Sequence, residues 1–179
     1  MDRIAGRFAR IEPRRPGADL VRGLLPDLPR KNCWPIAGWA GEAGPYGMQH
    51  LPGRARLDAG RARDDVRGCV LEHLADEDAV LVAGETGDLK KGTHTAGVQP
   101  ECTGTAGRIE NAQVAVCLVC AGRRGHAAVD RELYVPRLRT SDPDRCRAVG
   151  LAEDTVVATK PELAARMIGR FLDAGHRVG

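Results

Sequence analysis

The pattern of apolar positions changes near residue 79, where short strand-like runs replace helical spacing. Residues 113–121 are nearly all apolar and include three β-branched valines, which predicts a central strand covered on both faces. Residues 79–83 form a shorter apolar run followed by a glycine-containing turn at 84–87. Residues 96–102 and 127–135 read as two further strands. The second half of the chain therefore predicts a sheet.

One helix is strongly indicated, over residues 160–174. Thr159 and Glu162 form a capping-box pattern, and Pro161 falls in the first turn, where its missing N–H does no harm. Apolar residues then recur at helical spacing, and Gly175 is suited to end the helix. We expect this helix to pack on the sheet.

Residues 1–78 favour helices over 18–28, 46–57 and 60–75, each with an unfavourable residue. Pro26 interrupts the first and Pro52 falls inside the second, where proline costs roughly 3 kcal/mol. Gly60 and Gly68 weaken the third by about 1 kcal/mol each. The predicted organisation is a helical region at 1–78 and a sheet domain at 79–179.

Composition and charge narrow the function classes only slightly. The 179 residues are 42% hydrophobic and 28% charged, with a net charge of +3, which is typical of a globular protein. Residues 1–31 hold eight Arg and Lys against four Asp and Glu. This excess of cations fits a phosphate-facing surface, but composition alone favours a solvated, weakly ordered N-terminus. No stretch reaches the roughly 20 apolar residues of a membrane span, and no secretory leader is visible. We expect a cytoplasmic protein with reduced cysteines.

Three motifs resemble functional sites, but none has the full residue pattern that such a site requires. Cys117 and Cys120 would point to opposite faces of a strand, and no second ligand pair lies at zinc spacing. Residues 83–91 mix glycine and lysine after a strand, but the phosphate-loop spacing is absent. The paired acids at 64–65 and 76–78 are expected to be solvated.

Several segments in residues 79–163 resemble a known family. Residues 80–93 (VLVAGETGDLKKGT) are similar to the first catalytic strand of insertion-sequence transposases in the DDE superfamily of endonucleases. The segments 96–99 (AGVQ), 104–114 (GTAGRIENAQV), 130–136 (DRELYVP) and 158–163 (ATKPEL) resemble the family in order and spacing. Weaker similarity extends back through 54–56 to Phe8. The resemblance therefore covers nearly the whole chain.

This resemblance implies an RNase H-like domain that cuts and joins DNA. In the family, three acidic residues hold two divalent metals, Mg²⁺ in the intact enzymes, which clamp both ends of an in-line phosphoryl displacement. The implied fold class is α/β: a helical N-terminal region, then an incomplete RNase H-like mixed sheet with a flanking helix. Duplex DNA is the implied partner, together with self-association or association with an intact transposase.

The chain departs from the family at its catalytic positions. The family has Asp immediately before Glu-Thr-Gly, and Gly84 stands there. Glu85 is adjacent, but a shift of one residue along a strand turns a side chain to the other face. The resemblance places the second and third acids beyond Gly179. We therefore expect no catalytic residue, no metal ligand and no cofactor in this chain.

Three functional hypotheses follow. The first is a transposase-like protein that has lost catalysis, as a decayed gene remnant would. The second is a DNA-binding protein, in which the helical N-terminal region with its arginines holds insertion-sequence ends or pairs with an intact transposase and inhibits it. Its candidate nucleic-acid-binding residues in the sheet domain are Lys90, Lys91, Arg108, Arg123 and Arg124. The third is part of an enzyme completed by a separate downstream chain.

Overall fold

The computed structural model describes residues 2–92, 95–102, 107–136, 147–148, 151 and 157–178. The described chain divides into two compact units, residues 1–66 and residues 67–179. We call them the N-terminal unit and the sheet unit. The division falls inside a helix, and the boundary at 78/79 stays a prediction.

The N-terminal unit is helical, as predicted, although its helices are more numerous than expected and the first two predicted ones are shorter. The helices are α1 (Asp2–Ala5), α2 (Arg14–Arg22), α3 (Cys33–Trp39), α4 (Tyr46–Gly53) and α5 (Ala59–Leu74), and α5 continues into the sheet unit. The predicted helix 46–57 ends at Gly53, just after Pro52. Helix α3 was not predicted; it begins where the Asn32 side chain accepts a hydrogen bond from Trp34 N at 3.0 Å.

The core of the N-terminal unit is small. Ile36, Ala37 and Met48 are buried, and the side chains packed against them are only partly buried. Phe8 is also buried and forms an isolated antiparallel bridge with Leu57. This bridge joins the segment that follows α1 to the one that precedes α5.

The sheet unit contains four described strands, all paired antiparallel. They are β1 (Val80–Leu89), β2 (Gln99–Cys102), β3 (Ile109–Gly122) and β4 (Gly125–Leu133). β3 pairs with β1 along one side and with β2 and β4 along the other. The sequence predicted a mixed sheet, and the described strands supply only antiparallel pairs.

One strand differs from its predicted form. A turn was expected at residues 84–87, yet β1 runs straight through them and pairs residue by residue with β3, from Val80↔Ala121 to Leu89↔Ala112. Glycine has low intrinsic strand propensity, but pairing against a long buried strand outweighs it. The expectation of a turn was therefore wrong because it used local propensity alone.

Helix α6 (Lys160–Asp173) confirms the predicted helix and its capping box. Thr159 N donates to Glu162 Oε2 at 2.7 Å, and Thr159 Oγ1 accepts from Glu162 N. Leu163, Met167 and Phe171 are buried against the even-numbered residues of β3. Because β3 alternates, Val116, Leu118 and Cys120 face this core and Cys117 faces away, as the sequence predicted. No described helix is long and apolar enough to cross a membrane.

A buried ion-pair cluster joins three elements of the sheet unit. The Asp130 side chain on β4 is fully buried and accepts hydrogen bonds from Arg67 at 3.1 Å and from Arg170 at 3.0 Å. Arg170 also pairs with Glu132 at 2.7 Å. The cluster thus links α5, β4 and α6 by charge-assisted hydrogen bonds.

Candidate active site

The position that matters most to the predicted chemistry is Gly84, in the middle of β1. It pairs with Cys117 and so lies on the face of the sheet turned away from α6. A Cβ built on Gly84 would meet no other described atom within 4 Å beyond its chain neighbours. There is room for a carboxylate at this position, but the residue supplies none.

Glu85 lies on the opposite face of the sheet, as period-two alternation predicted. It pairs with the buried Val116. Its Oε2 atom is 2.7 Å from Nζ of Lys160, the first residue of α6. The Glu85 carboxylate therefore cannot replace the one that is missing at 84 without a shift of the strand register.

Lys160 is held by two acids and one ring. Its Nζ lies 3.7 Å from Oε2 of Glu101 on β2 and 5.3 Å from the ring centroid of Tyr134. Desolvation by burial lowers the Lys160 pKa, but the hydrogen bond to Glu85 and the charge of Glu101 outweigh this effect and raise it. The ammonium group thus stays charged and keeps the Glu85 carboxylate on the α6 face.

A cavity of about 240 Å³ lies beside this ion pair. It is lined by Ala83, Gly84, Glu85, Val116, Lys160, Pro161 and Ala164. The lining offers one carboxylate, already paired with a lysine. Among the residues that the structure describes, no group of three His, Cys, Asp or Glu side chains could hold a metal ion. The described residues therefore do not fit the metal pair that the family resemblance implies.

The five cations predicted to bind nucleic acid fall into two groups. Lys90, Lys91 and Arg108 lie near one end of the sheet, where β1 ends and β3 begins. Arg123 and Arg124 form the turn between β3 and β4 at the other end. A strand rises about 3.3 Å per residue, so the 14 residues of β3 separate the two groups by roughly 40 Å. The five residues do not form one patch.

Three of these five cations already have carboxylate partners. Arg108 pairs with Glu110 at 2.7 Å, Lys90 approaches Asp88 at 3.8 Å, and Arg123 pairs with Asp78. Asp76 also accepts a hydrogen bond from the backbone N–H of Arg123, so this acid supports a turn rather than being merely solvated. A cation that is paired with a carboxylate attracts an anionic ligand less strongly than an unpaired one.

The N-terminal unit holds a cluster of cations that the sequence did not predict as a cluster. A cleft of about 390 Å³ is lined by Ala9, Arg10, Pro13, His50, Arg54, Ala55 and Arg56. The sequence signals were the excess of cations over residues 1–31, which include Arg10, and the arginines at 54 and 56, which lay inside a predicted helix. The structure shows that the helix ends before them and leaves both side chains exposed.

Comparisons with known proteins agree with the resemblance. The family model for DDE superfamily endonucleases matches residues 4–179. A curated relative, the probable transposase for insertion sequence element IS701 of Microchaete diplosiphon, is 29% identical over 155 residues. The match covers 87% of this chain and 38% of the relative, so the chain spans well under half of that protein's length. No solved structure matches. A match across almost all of the sequence shows that this chain belongs to the DDE superfamily endonucleases.

Proposed function

We propose that this chain is a transposase-type protein of DNA transposition that does not itself cleave DNA. The observation that carries this proposal is Gly84, which stands on β1 where the family resemblance places the first metal-binding aspartate. Magnesium prefers oxygen ligands, and a glycine side chain offers none. A metal pair that clamps an in-line displacement cannot be assembled at this strand without that carboxylate.

The Lys160–Glu85 pair strengthens the argument. A neighbouring acid could compensate only if its carboxylate reached the Gly84 face. Glu85 lies on the other face and makes a 2.7 Å contact with a lysine that is itself fixed at the start of a capped helix. Releasing it would leave the partly buried ammonium with Glu101 as its remaining carboxylate partner. The strand therefore opposes the substitution of one acid for the other.

The test is a nicking assay on supercoiled plasmid with the purified chain in Mg²⁺ or Mn²⁺. We expect no nicking above a protein-free control, and no retention of Mn²⁺ by the chain in an electron paramagnetic resonance titration. Glu85→Gln is the matched control, since Glu85 is the one acid among the described residues that line the cavity. Metal-dependent nicking by the unmodified chain that disappears in Glu85→Gln would overturn the proposal.

A second candidate function is binding to duplex DNA at insertion-sequence ends, or inhibition of an intact transposase. The observation that favours it is the arginine-lined cleft of the N-terminal unit, which has no acidic residue in its lining. Binding through phosphates depends strongly on salt. We expect a fluorescently labelled duplex to bind at about 50 mM salt and to dissociate as salt rises. No binding at the lower salt concentration would exclude this candidate.

A further inference from the structure

We infer that the cleft lined by Arg10, His50, Arg54 and Arg56 binds the phosphates of a duplex DNA backbone. We call it the arginine cleft. The inference deepens the second candidate function and rests on it for the choice of DNA as the ligand. Of the two regions that the sequence suggested for DNA binding, it favours the N-terminal one over the five cations of the sheet unit, and it assigns the contact to particular residues.

Backbone pairing fixes the walls of the arginine cleft. Phe8 and Leu57 form an antiparallel bridge, and Ala9 N donates to Arg56 O at 3.0 Å. Asp58 N donates to Arg7 O, also at 3.0 Å, on the other side of the bridge. Because Phe8 is buried against Gly17 of α2, the bridge is anchored. Arg10 and Arg56 are thus brought together by main-chain contacts, not by chance side-chain positions.

The arginines of the cleft differ from most others in the same unit. Arg7 binds Asp65 at 2.6 Å, and Arg15, Arg22 and Arg61 all have carboxylates within 4 Å. In the described part of the chain, Arg10, Arg54 and Arg56 make no ion pair, and all three are exposed. Three like charges that share one concave surface repel each other, and an anion between them relieves that repulsion.

One feature of the cleft opposes anion binding. Helix α4 ends at Gly53, so its C-terminal carbonyls lie close to Arg54. A helix C-terminus carries about half of a negative charge, which favours cations. Three full positive charges exceed this partial charge, and the net potential of the cleft is positive.

The chemistry of the lining favours phosphate over other anions. Guanidinium groups offer planar, paired N–H donors that match two oxygens of a phosphate. His50 adds a ring nitrogen to the same surface. The exposed Arg10, Arg54 and Arg56 side chains can reach a phosphate that is carried on a chain passing across the cleft. Successive phosphates of a duplex supply such groups at regular intervals.

The test compares one cleft variant and two control variants of the full chain by fluorescence anisotropy on a labelled duplex at several salt concentrations. The double variant Arg54→Gln/Arg56→Gln removes two charges from the cleft. The controls are Arg30→Gln, an exposed arginine outside the cleft, and Arg30→Gln/Arg61→Gln, which removes the same total charge. We expect the slope of log K against log salt to fall by about 1 for each lost contact, and affinity at 50 mM salt to fall roughly tenfold or more. The controls should change binding less.

A footprint on the unmodified chain gives a second, independent measurement. Phenylglyoxal modifies exposed guanidinium groups, and mass spectrometry identifies which arginines react. We expect duplex DNA to protect Arg10, Arg54 and Arg56 while leaving Arg30 reactive. Inorganic phosphate serves as the second probe and should protect only at much higher concentration than DNA.

Each outcome decides between the proposals. If the unmodified chain binds DNA but the cleft variant behaves like the charge-matched control, the cleft inference is wrong while DNA binding stands. Protection of the cleft by phosphate without protection by DNA would also overturn it. Absence of DNA binding would remove both the second candidate function and the cleft inference. The nicking result bears only on the loss of cleavage.

Discussion

The interior of the sheet unit is built on Phe171, Met167 and Leu118, all fully buried, whereas the N-terminal unit buries only Ile36, Ala37 and Met48 in its central cluster. The sheet unit adds a buried ion-pair cluster around Asp130 and a ladder of three strand pairings on β3. The N-terminal unit relies on short helices and on the partly buried Arg7–Asp65 pair.

The N-terminal unit also exposes large apolar side chains on its surface. Leu25, Tyr46, Ile11 and Trp34 of the N-terminal unit are each more than 60% exposed. Isolated helices of fewer than ten residues are marginally stable, so the short helices of this unit depend on its small core for their stability. We therefore expect the unit with the candidate DNA contact to be the less stable one. The two tryptophans, Trp34 and Trp39, both lie there, which allows it to be followed separately.

The largest effect should come from Asp130→Ala in the sheet unit. The change leaves Arg67, whose side chain is only 3% exposed, without the Asp130 carboxylate, and breaking such a pair costs about 3–5 kcal/mol. Urea unfolding followed by far-UV circular dichroism should show the loss. Glu132→Gln is the control: it removes a half-exposed partner and should cost about 1 kcal/mol or less. Equal midpoints for the two variants would contradict the assigned role of Asp130.

The next effect is expected from Met48→Ala in the N-terminal unit. Met48 is 1% exposed, and truncating a buried methionine costs about 2–5 kcal/mol. Tryptophan fluorescence should report an earlier urea transition, while the strand signal keeps its midpoint. Val21→Ala, at a half-exposed position, should change stability by about 0.5 kcal/mol or less. Coincident shifts of both signals would mean that the units unfold as one block.

The smallest expected effect is on the pH dependence of stability, which should run in opposite directions in the two units. The hydrogen bond from Arg7 lowers the pKa of Asp65. Its contribution is therefore present above the unfolded-state pKa and is lost as pH falls through the folded one. The raised pKa of Lys160 acts in the opposite range, since its contribution is lost as pH rises through the folded value. Asp65→Asn should flatten the acid side of the fluorescence midpoint, and Lys160→Gln the alkaline side of the strand midpoint.

Local signals allowed parts of this fold to be predicted. The capping box at Thr159 and the apolar run of β3 are encoded within a few residues, and both were found. The extension of β1 through Gly84 was missed because it depends on pairing with a strand far along the chain. The face of Glu85 followed from alternation alone.

The candidate DNA contact was harder to predict. The arginine cleft requires Arg10 to meet Arg54 and Arg56, which are distant in sequence and are joined only by the Phe8–Leu57 bridge. The cations that the sequence did suggest turned out to be mostly paired with nearby acids. Charge can be counted from a sequence, but the pairing of charges depends on the fold.

The central position of β3 also has a consequence for how fast the sheet forms. β3 and β4 are joined by a two-residue turn, and their Gly122↔Gly125 pair can close within microseconds, about 1–10 μs for a hairpin. Pairing of Val80 with Ala121 must first close the long intervening segment, at an entropic cost that grows with its length. We therefore expect β1 to pair with β3 later than β4 does. Until β1 pairs, one side of β3 is an unpaired, apolar strand edge. A newly synthesised chain is most prone to aggregation during that interval.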